Sequence, residues 1–357
     1  MSRKKELNRK NHFLWMILAV LIAGITIAVV FSRSETMTLE ELHDLLWDGH
    51  PGWLVLALVS MLGYMVFEGL SLNVLLRSIG IKTSLKNGIV YGAADAYFSA
   101  ITPSATGGQP AVVYFMTKYG VPMATAIAIL IINLILYNVS TIILGLLVVI
   151  IHPEIFFAFN PLSRTIIIAG GTVVTLLGIA LILLLKKGEW MGEFLVKIVN
   201  LIHKIGIIRK PDKLVKRIRE LEKDYGDAEK LIEGKPLMIF KAGVYNLLQR
   251  LSLIMVPVYM DLAISHSTGK PITIWAIQCF IALGANCVPI PGAMGAYDYL
   301  MIDGYHNLMN PERVYRLAIL SRAMSFYLCV IISCIIVLIA YLRTKEKDKG
   351  TEDVETS

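Results

Sequence analysis

Residues 101–110 read ITPSATGGQP: two prolines, two adjacent glycines and four hydroxyl or amide side chains, set between stretches that are strongly apolar. Gly and Pro break helices, and irregular backbone is tolerated at membrane depth only where protein buries it or where it lines an aqueous cavity. The fold therefore turns on what surrounds this decapeptide. With 56% hydrophobic and only 17% charged residues in 357, the chain has the composition of an integral membrane protein. Six runs, 13–31, 53–76, 123–151, 165–185, 236–262 and 314–342, each approach or exceed the roughly 20 apolar residues needed to cross a hydrocarbon core about 30 Å thick. The first follows a basic head (Arg3, Lys4, Lys5, Arg9, Lys10), yet it is too long for a signal peptide and lacks a small-x-small cleavage site, so it reads as an uncleaved span.

Loop charge sets the orientation. The basic head, Arg77/Lys82/Lys86, Lys186/Lys187 and the tail Arg343/Lys345/Lys347/Lys349 belong inside, whereas 32–52 is acidic (Glu35, Glu40, Glu41, Asp44, Asp48). Both termini are then cytoplasmic. Two apolar stretches with broken middles remain, 87–120 and 272–310. For the signs of the flanking loops to agree, 87–120 must enter and leave on the cytoplasmic face and 272–310 on the external face. The expected fold is an all-α integral membrane protein of about six spanning helices plus two oppositely oriented re-entrant helical hairpins, an inverted-topology repeat of the kind that builds substrate sites in many transporters. Its parts are a basic N-terminus 1–12, a first membrane half 13–185 with hairpin 87–120, a cytoplasmic amphipathic linker 186–235, a second half 236–342 with hairpin 272–310, and a tail 343–357. Pro103-x-x-x-Gly107 and Pro291-x-x-x-Gly295 fall at the two tips.

The tips suggest a chemistry. Gly107 and Gly108 followed by Pro110, and Pro289 and Pro291 followed by Gly295, restart helices whose N-termini point to mid-membrane, each carrying about half a positive charge and unpaired N–H groups. Thr106, Gly107, Gly108, Gln109, Gly292 and Gly295 are thus candidate anion contacts. Close helix packing by small residues is the competing explanation of the same glycines. Charges within apolar segments are costly and should face the interior in pairs. Arg250 and Arg322, on the helices flanking the second hairpin, are candidates to grip a phosphate; Asp298 is a candidate substrate contact for a cationic group, and Glu68 and Asp95 suit a coupling or ion-pair role. Lys118, Asp303 and Arg316 read as interfacial. The cysteines Cys279, Cys287, Cys329 and Cys334 lie in apolar segments without CxxC spacing, which supports neither disulfides nor a zinc site. No GxSxG, HExxH, P-loop or dinucleotide fingerprint occurs, so no catalytic residue, metal or cofactor is expected.

ITPSATGGQP with the following VYFM, QRLSLI at 249–254, and PIPGAMGAYDYL resemble the lysylphosphatidylglycerol synthase transmembrane family, the flippase-type membrane portion of the multiple peptide resistance factor. The resemblance covers about 13–342. That family's second motif is usually P-G-G-x-G-x-x-E; here Ala293 replaces a Gly and Asp298 stands for the Glu, one methylene shorter. The resemblance implies the flippase-type part without the soluble lysyltransferase domain, since little chain follows the last span. It further implies a bacterial cytoplasmic membrane, a link to antibiotic resistance and a lipid translocase for an anionic or aminoacylated phospholipid. Phosphatidylglycerol lysyltransferase, or another lipid-linked transferase, is the alternative, and a small-solute secondary transporter a second. The expected partner is a membrane phospholipid and not nucleic acid, because the net charge of +7 is spread over cytoplasmic loops. Homo-oligomerisation is left open, as lipid-facing and partner-facing surfaces share one composition.

Overall fold

A computed structural model describes residues 49–102, 105–186, 234–264, 270–286 and 295–355, with isolated positions between 193 and 219, and side chains as far as Thr344. The basic head, the span 13–31, the acidic loop up to residue 48, nearly all of the linker 186–235, Pro103 and the tip residues Pro289, Pro291 and Gly292 lie outside the described residues.

Every regular element among the described residues is helical: α1 (Pro51–Ser78), α2 (Leu85–Ile101), α3 (Gly108–Lys118), α4 (Met123–Ile151), α5 (Pro153–Ala158), α6 (Pro161–Lys186), α7 (Pro236–Ile264), α8 (Pro271–Ala285), α9 (Ala296–Tyr305), α10 (Pro311–Arg322), a π-helical turn (Ala323–Leu328) and α11 (Cys329–Glu355). Several open on proline, whose missing N–H costs nothing at a helix start. Ser84 and Asn310 cap α2 and α10 by accepting from Asn87 N and Arg313 N. Five stretches are long and apolar enough to span: Pro51–Ser78, Met123–Ile151, Pro161–Leu183, Pro236–Ile264 and Pro311–Thr344. They correspond to the five expected spans that fall within the described residues.

The two broken stretches are helical hairpins. In the first, 17 residues of α2 and 11 of α3 reach only about 25 Å and 16 Å. In the second, 15 residues of α8 and 10 of α9 reach about 22 Å and 15 Å. None covers a hydrocarbon core of about 30 Å.

Helices α1 and α7, each preceding a hairpin, pack along their lengths in opposite directions. Trp53 stacks on Tyr259, with ring centroids 6.1 Å apart, and Ser60 Oγ donates to Ser252 O at 2.8 Å. Further along, Phe67 meets Tyr245 at 6.3 Å and Ser71 Oγ donates to Ala242 O at 3.3 Å. Residue numbers rise on α1 as they fall on α7, which an inverted repeat requires. The halves also exchange contacts, since α11 packs on the first hairpin and α4 on the second.

Polar contacts at the ends show which loops share a side. Asn160, in the turn before α6, gives its backbone N–H to Asp303 Oδ2 (3.0 Å) and its side-chain amide to Asp303 Oδ1 (2.8 Å). Asp261 at the end of α7 pairs with Arg313 at the start of α10 (2.7 Å), and His50 N donates to Ala263 O (3.0 Å). The base of the second hairpin therefore lies with the 152–160 turn. At the opposite end Lys235 donates to Ser78 O, and Asn73 Nδ2 to Ser84 O at 3.0 Å. There α1 and α3 both finish in a glycine at positive φ, Gly80 and Gly120, with Ile81 N bonded back to Leu76 O and Val121 N to Met116 O.

Glycine elsewhere serves close approach. A Cβ on Gly69 would lie 2.1 Å from Gly88 O, and one on Gly92 2.0 Å from Met65 O. Gly88-x-x-x-Gly92 of α2 is thus a small-residue seam against α1. A second seam sets Gly145 of α4 and Gly170 of α6 against α8, with the Gly170 Cβ position 2.0 Å from Leu283 O.

Candidate functional site

At the first tip the chain turns through Thr102, whose Oγ1 accepts from Gly107 N (2.9 Å), and Ala105, held at φ 54°. Thr106 is exposed there and Gly107 half-buried. The N-terminus of α3 does face inward, and it meets an anion belonging to the protein. Asp95 Oδ1 accepts from Gln109 Nε2 at 2.9 Å and from Ser99 Oγ at 3.4 Å. A Cβ on Gly108 would sit 2.3 Å from that same oxygen, so only glycine lets the carboxylate rest against the first turn of the helix. Negative charge at a helix N-terminus is stabilising, and here Asp95 supplies it.

The second tip repeats the device. Gly295, at φ 83°, opens α9, and its N–H is accepted by Asp298 Oδ2 at 3.1 Å. The other oxygen of Asp298 pairs with Arg322 Nε at 3.1 Å. Asp298 thus caps its own helix and ties the hairpin to α10. Gly292 lies outside the described residues.

The two arginines singled out from sequence line one cavity of about 270 Å³ between α4, α7, α8, α9 and the π-helical turn. Arg250 is buried, lies 3.7 Å above the Tyr137 ring, and gives its Nε–H to Thr141 Oγ1 at 2.8 Å. A guanidinium stacked on a ring keeps its charge and its orientation together. Arg322 approaches the faces of Tyr297 and Phe326 at 5.6 Å and 6.0 Å. Gln278 binds two of the hairpin's tyrosines, accepting from Tyr297 Oη (3.0 Å) and donating to Tyr305 Oη (2.6 Å). Asn286, Ser325 and Phe326 complete the polar and aromatic lining.

Two backbone irregularities border this cavity. Pro257 lies inside α7, so the carbonyl of Leu253, a lining residue, lacks its usual N–H partner four residues on. The π-helical turn follows Arg322 directly and presents Ser325 and Phe326; such turns are frequent at functional sites.

Glu68 and its neighbours form a polar seam between α1, α4 and α7. Glu68 is 3% exposed and accepts from Asn133 Nδ2 at 2.7 Å, while Gln249 also hydrogen-bonds it. Asn133 Oδ1 accepts from Ser71 Oγ (2.6 Å) and Asn246 Nδ2 (3.0 Å). Asp95 and Arg250 are both within electrostatic reach of Glu68.

Arg250, Arg322 and Asp298 are thus brought to the second hairpin, whereas Glu68, Asp95, Thr106, Gly107, Gly108 and Gln109 do not line the cavity. Sequence reasoning passed over Gln278, Tyr297, Asn286 and Ser325, which look like ordinary polar or aromatic interruptions. It also missed the cap made by Asp298, although an acid three residues after a helix-opening Gly is a readable signal.

A family model described as the lysylphosphatidylglycerol synthase TM region matches residues 16–333, and the chain belongs to that family. A search of curated proteins finds no match.

Proposed function

We propose that this member of the family is a lipid translocase that takes the head group of an anionic or aminoacylated phospholipid, of the lysylphosphatidylglycerol type, through the cavity beside the second hairpin. The convergence of Arg250 and Arg322 on one cavity carries the reading. At about 270 Å³ the cavity is at the small end for ligand sites, which suits a phosphate-bearing head group while the acyl tails stay in the bilayer. Both helix N-termini already hold a carboxylate, so the arginines rather than the helix ends supply the attraction for phosphate. Arg250 stacked on Tyr137 is a fixed cation; Arg322 exchanges Asp298 for the incoming anion. The protein would sit in the cytoplasmic membrane with its basic loops inside.

Purified protein in phosphatidylcholine vesicles containing fluorescent phosphatidylglycerol tests this by loss of leaflet asymmetry. Wild type should scramble the label, and Arg250→Ala or Arg322→Ala should slow it roughly tenfold or more, the scale of one charged hydrogen bond. The lipid-facing variant Ile150→Ala, at a side chain 77% exposed, should behave as wild type. Vesicles whose asymmetry never decays would sink the reading, and a lysylated lipid formed from lysyl-tRNA would replace it with a transferase.

A further inference from the structure

We propose that Glu68 and Asp95 form a shared proton site, and that an anionic head group bound at Arg250 is carried together with one proton taken up by that site. The inference rests on the reading of the cavity as an anion site. Both carboxylates are buried, at 3% and 9% exposure, and their hydrogen-bond donors among the described residues are neutral: Asn133 and Gln249 for Glu68, Gln109 and Ser99 for Asp95. No salt bridge to either occurs among the described residues.

The titratable and charged groups around the pair are Tyr64 of α1, Tyr137 of α4 and Arg250 of α7, with Cys329 of α11 beside Tyr64. Arg250 is thus the cation within reach of Glu68, and Glu68 in turn lies within reach of Asp95. Unpaired charge is costly in the bilayer interior, and two carboxylates sharing one site do not both stay ionised there. Arg250 also lines the cavity, so it stands between the acids and any incoming anion. An anion that claims the guanidinium removes the counter-charge from Glu68, which Asp95 also faces, and a proton from the aqueous phase restores the balance by forming one O–H bond on a carboxyl group. When the anion leaves, the returning Arg250 charge releases that proton.

A second observation fits a carboxyl group that is sometimes protonated. Gln249 Oε1 is buried with no hydrogen-bond donor, on the residue that bonds Glu68. Turning that amide over puts an acceptor where Glu68 now meets a donor, so either protonation state has a partner.

The test uses wild-type protein in a weakly buffered detergent solution with a pH dye, titrated with dihexanoyl-phosphatidylglycerol. About one proton should be taken up per lipid bound, and none with the zwitterionic dihexanoyl-phosphatidylcholine. Glu68→Gln should bind the lipid and take up no proton. In vesicles held at zero membrane potential, a one-unit pH gradient should shift the leaflet ratio of labelled phosphatidylglycerol about tenfold. Binding and scrambling with no proton uptake, and a leaflet ratio indifferent to the gradient, would overturn the coupling and leave the translocase standing. Folded wild type that neither binds nor moves the lipid would overturn both. The wild-type measurements decide the matter even if Glu68→Gln fails to fold.

Discussion

Asp298 illustrates how one side chain holds two jobs. Its Oδ2 caps Gly295 and its Oδ1 holds Arg322. Asp298→Asn keeps an acceptor for the cap and removes the charge that competes with phosphate for the guanidinium. That variant should bind dihexanoyl-phosphatidylglycerol more tightly, by about fivefold at most, since a partly exposed pair is worth ~1 kcal/mol or less; titration calorimetry reads it, and weaker binding would mean that Asp298 contacts the lipid directly. Gly108→Ala tests the other tip, where the new Cβ would meet Ser99 Oγ at 2.2 Å and Asp95 Oδ1 at 2.3 Å. Overpacking of this kind costs about 1–3 kcal/mol, seen as a lower apparent melting temperature in detergent at fixed scan rate. At this scale the sequence was partly legible. Charges in apolar runs stand out because the bilayer makes them rare, which is why Arg250 and Arg322 could be picked. Gln278 and Tyr297 escaped notice because an amide or a phenol is cheap enough inside a membrane to need no special pleading.

Among the elements, the π-helical turn has the clearest consequence. The wider turn Ala323–Leu328 changes the angular relation between Arg322 and the helix that follows. Deleting Ser325 would remove the residue that the wide turn absorbs, restoring ordinary winding with the flanking helices still in phase while withdrawing the bulge and its Ser325 from the cavity. The shortened protein should insert and remain monodisperse but lose lipid scrambling; full activity would show that the turn only relieves strain. Nothing in AMSFYL distinguishes it from an ordinary helical segment, so this irregularity was hidden from sequence reading. Helix lengths were legible for the opposite reason. Membrane thickness imposes them from outside, and α4 was expected at 123–151, where it lies.

At the scale of the molecule, the contacts Asn160–Asp303, Asp261–Arg313 and His50–Ala263 fix which loops share a side, while loop charge proposes which side is inside. Cysteines placed at Glu154 and Lys82 check this with a membrane-impermeant maleimide on intact cells. Glu154→Cys should label and Lys82→Cys should not; the reverse pattern would invert the proposed orientation. The packing of Leu283 against Gly145 and Gly170 carries a consequence of another kind. The second hairpin belongs to the second repeat by chain order, yet its glycine-tight contacts lie on helices encoded before the linker. Severing the gene within 186–235 should yield fragments that are each degraded when made alone and that recover together when co-expressed. The segments on either side of the linker are interlocked pieces rather than two modules in tandem.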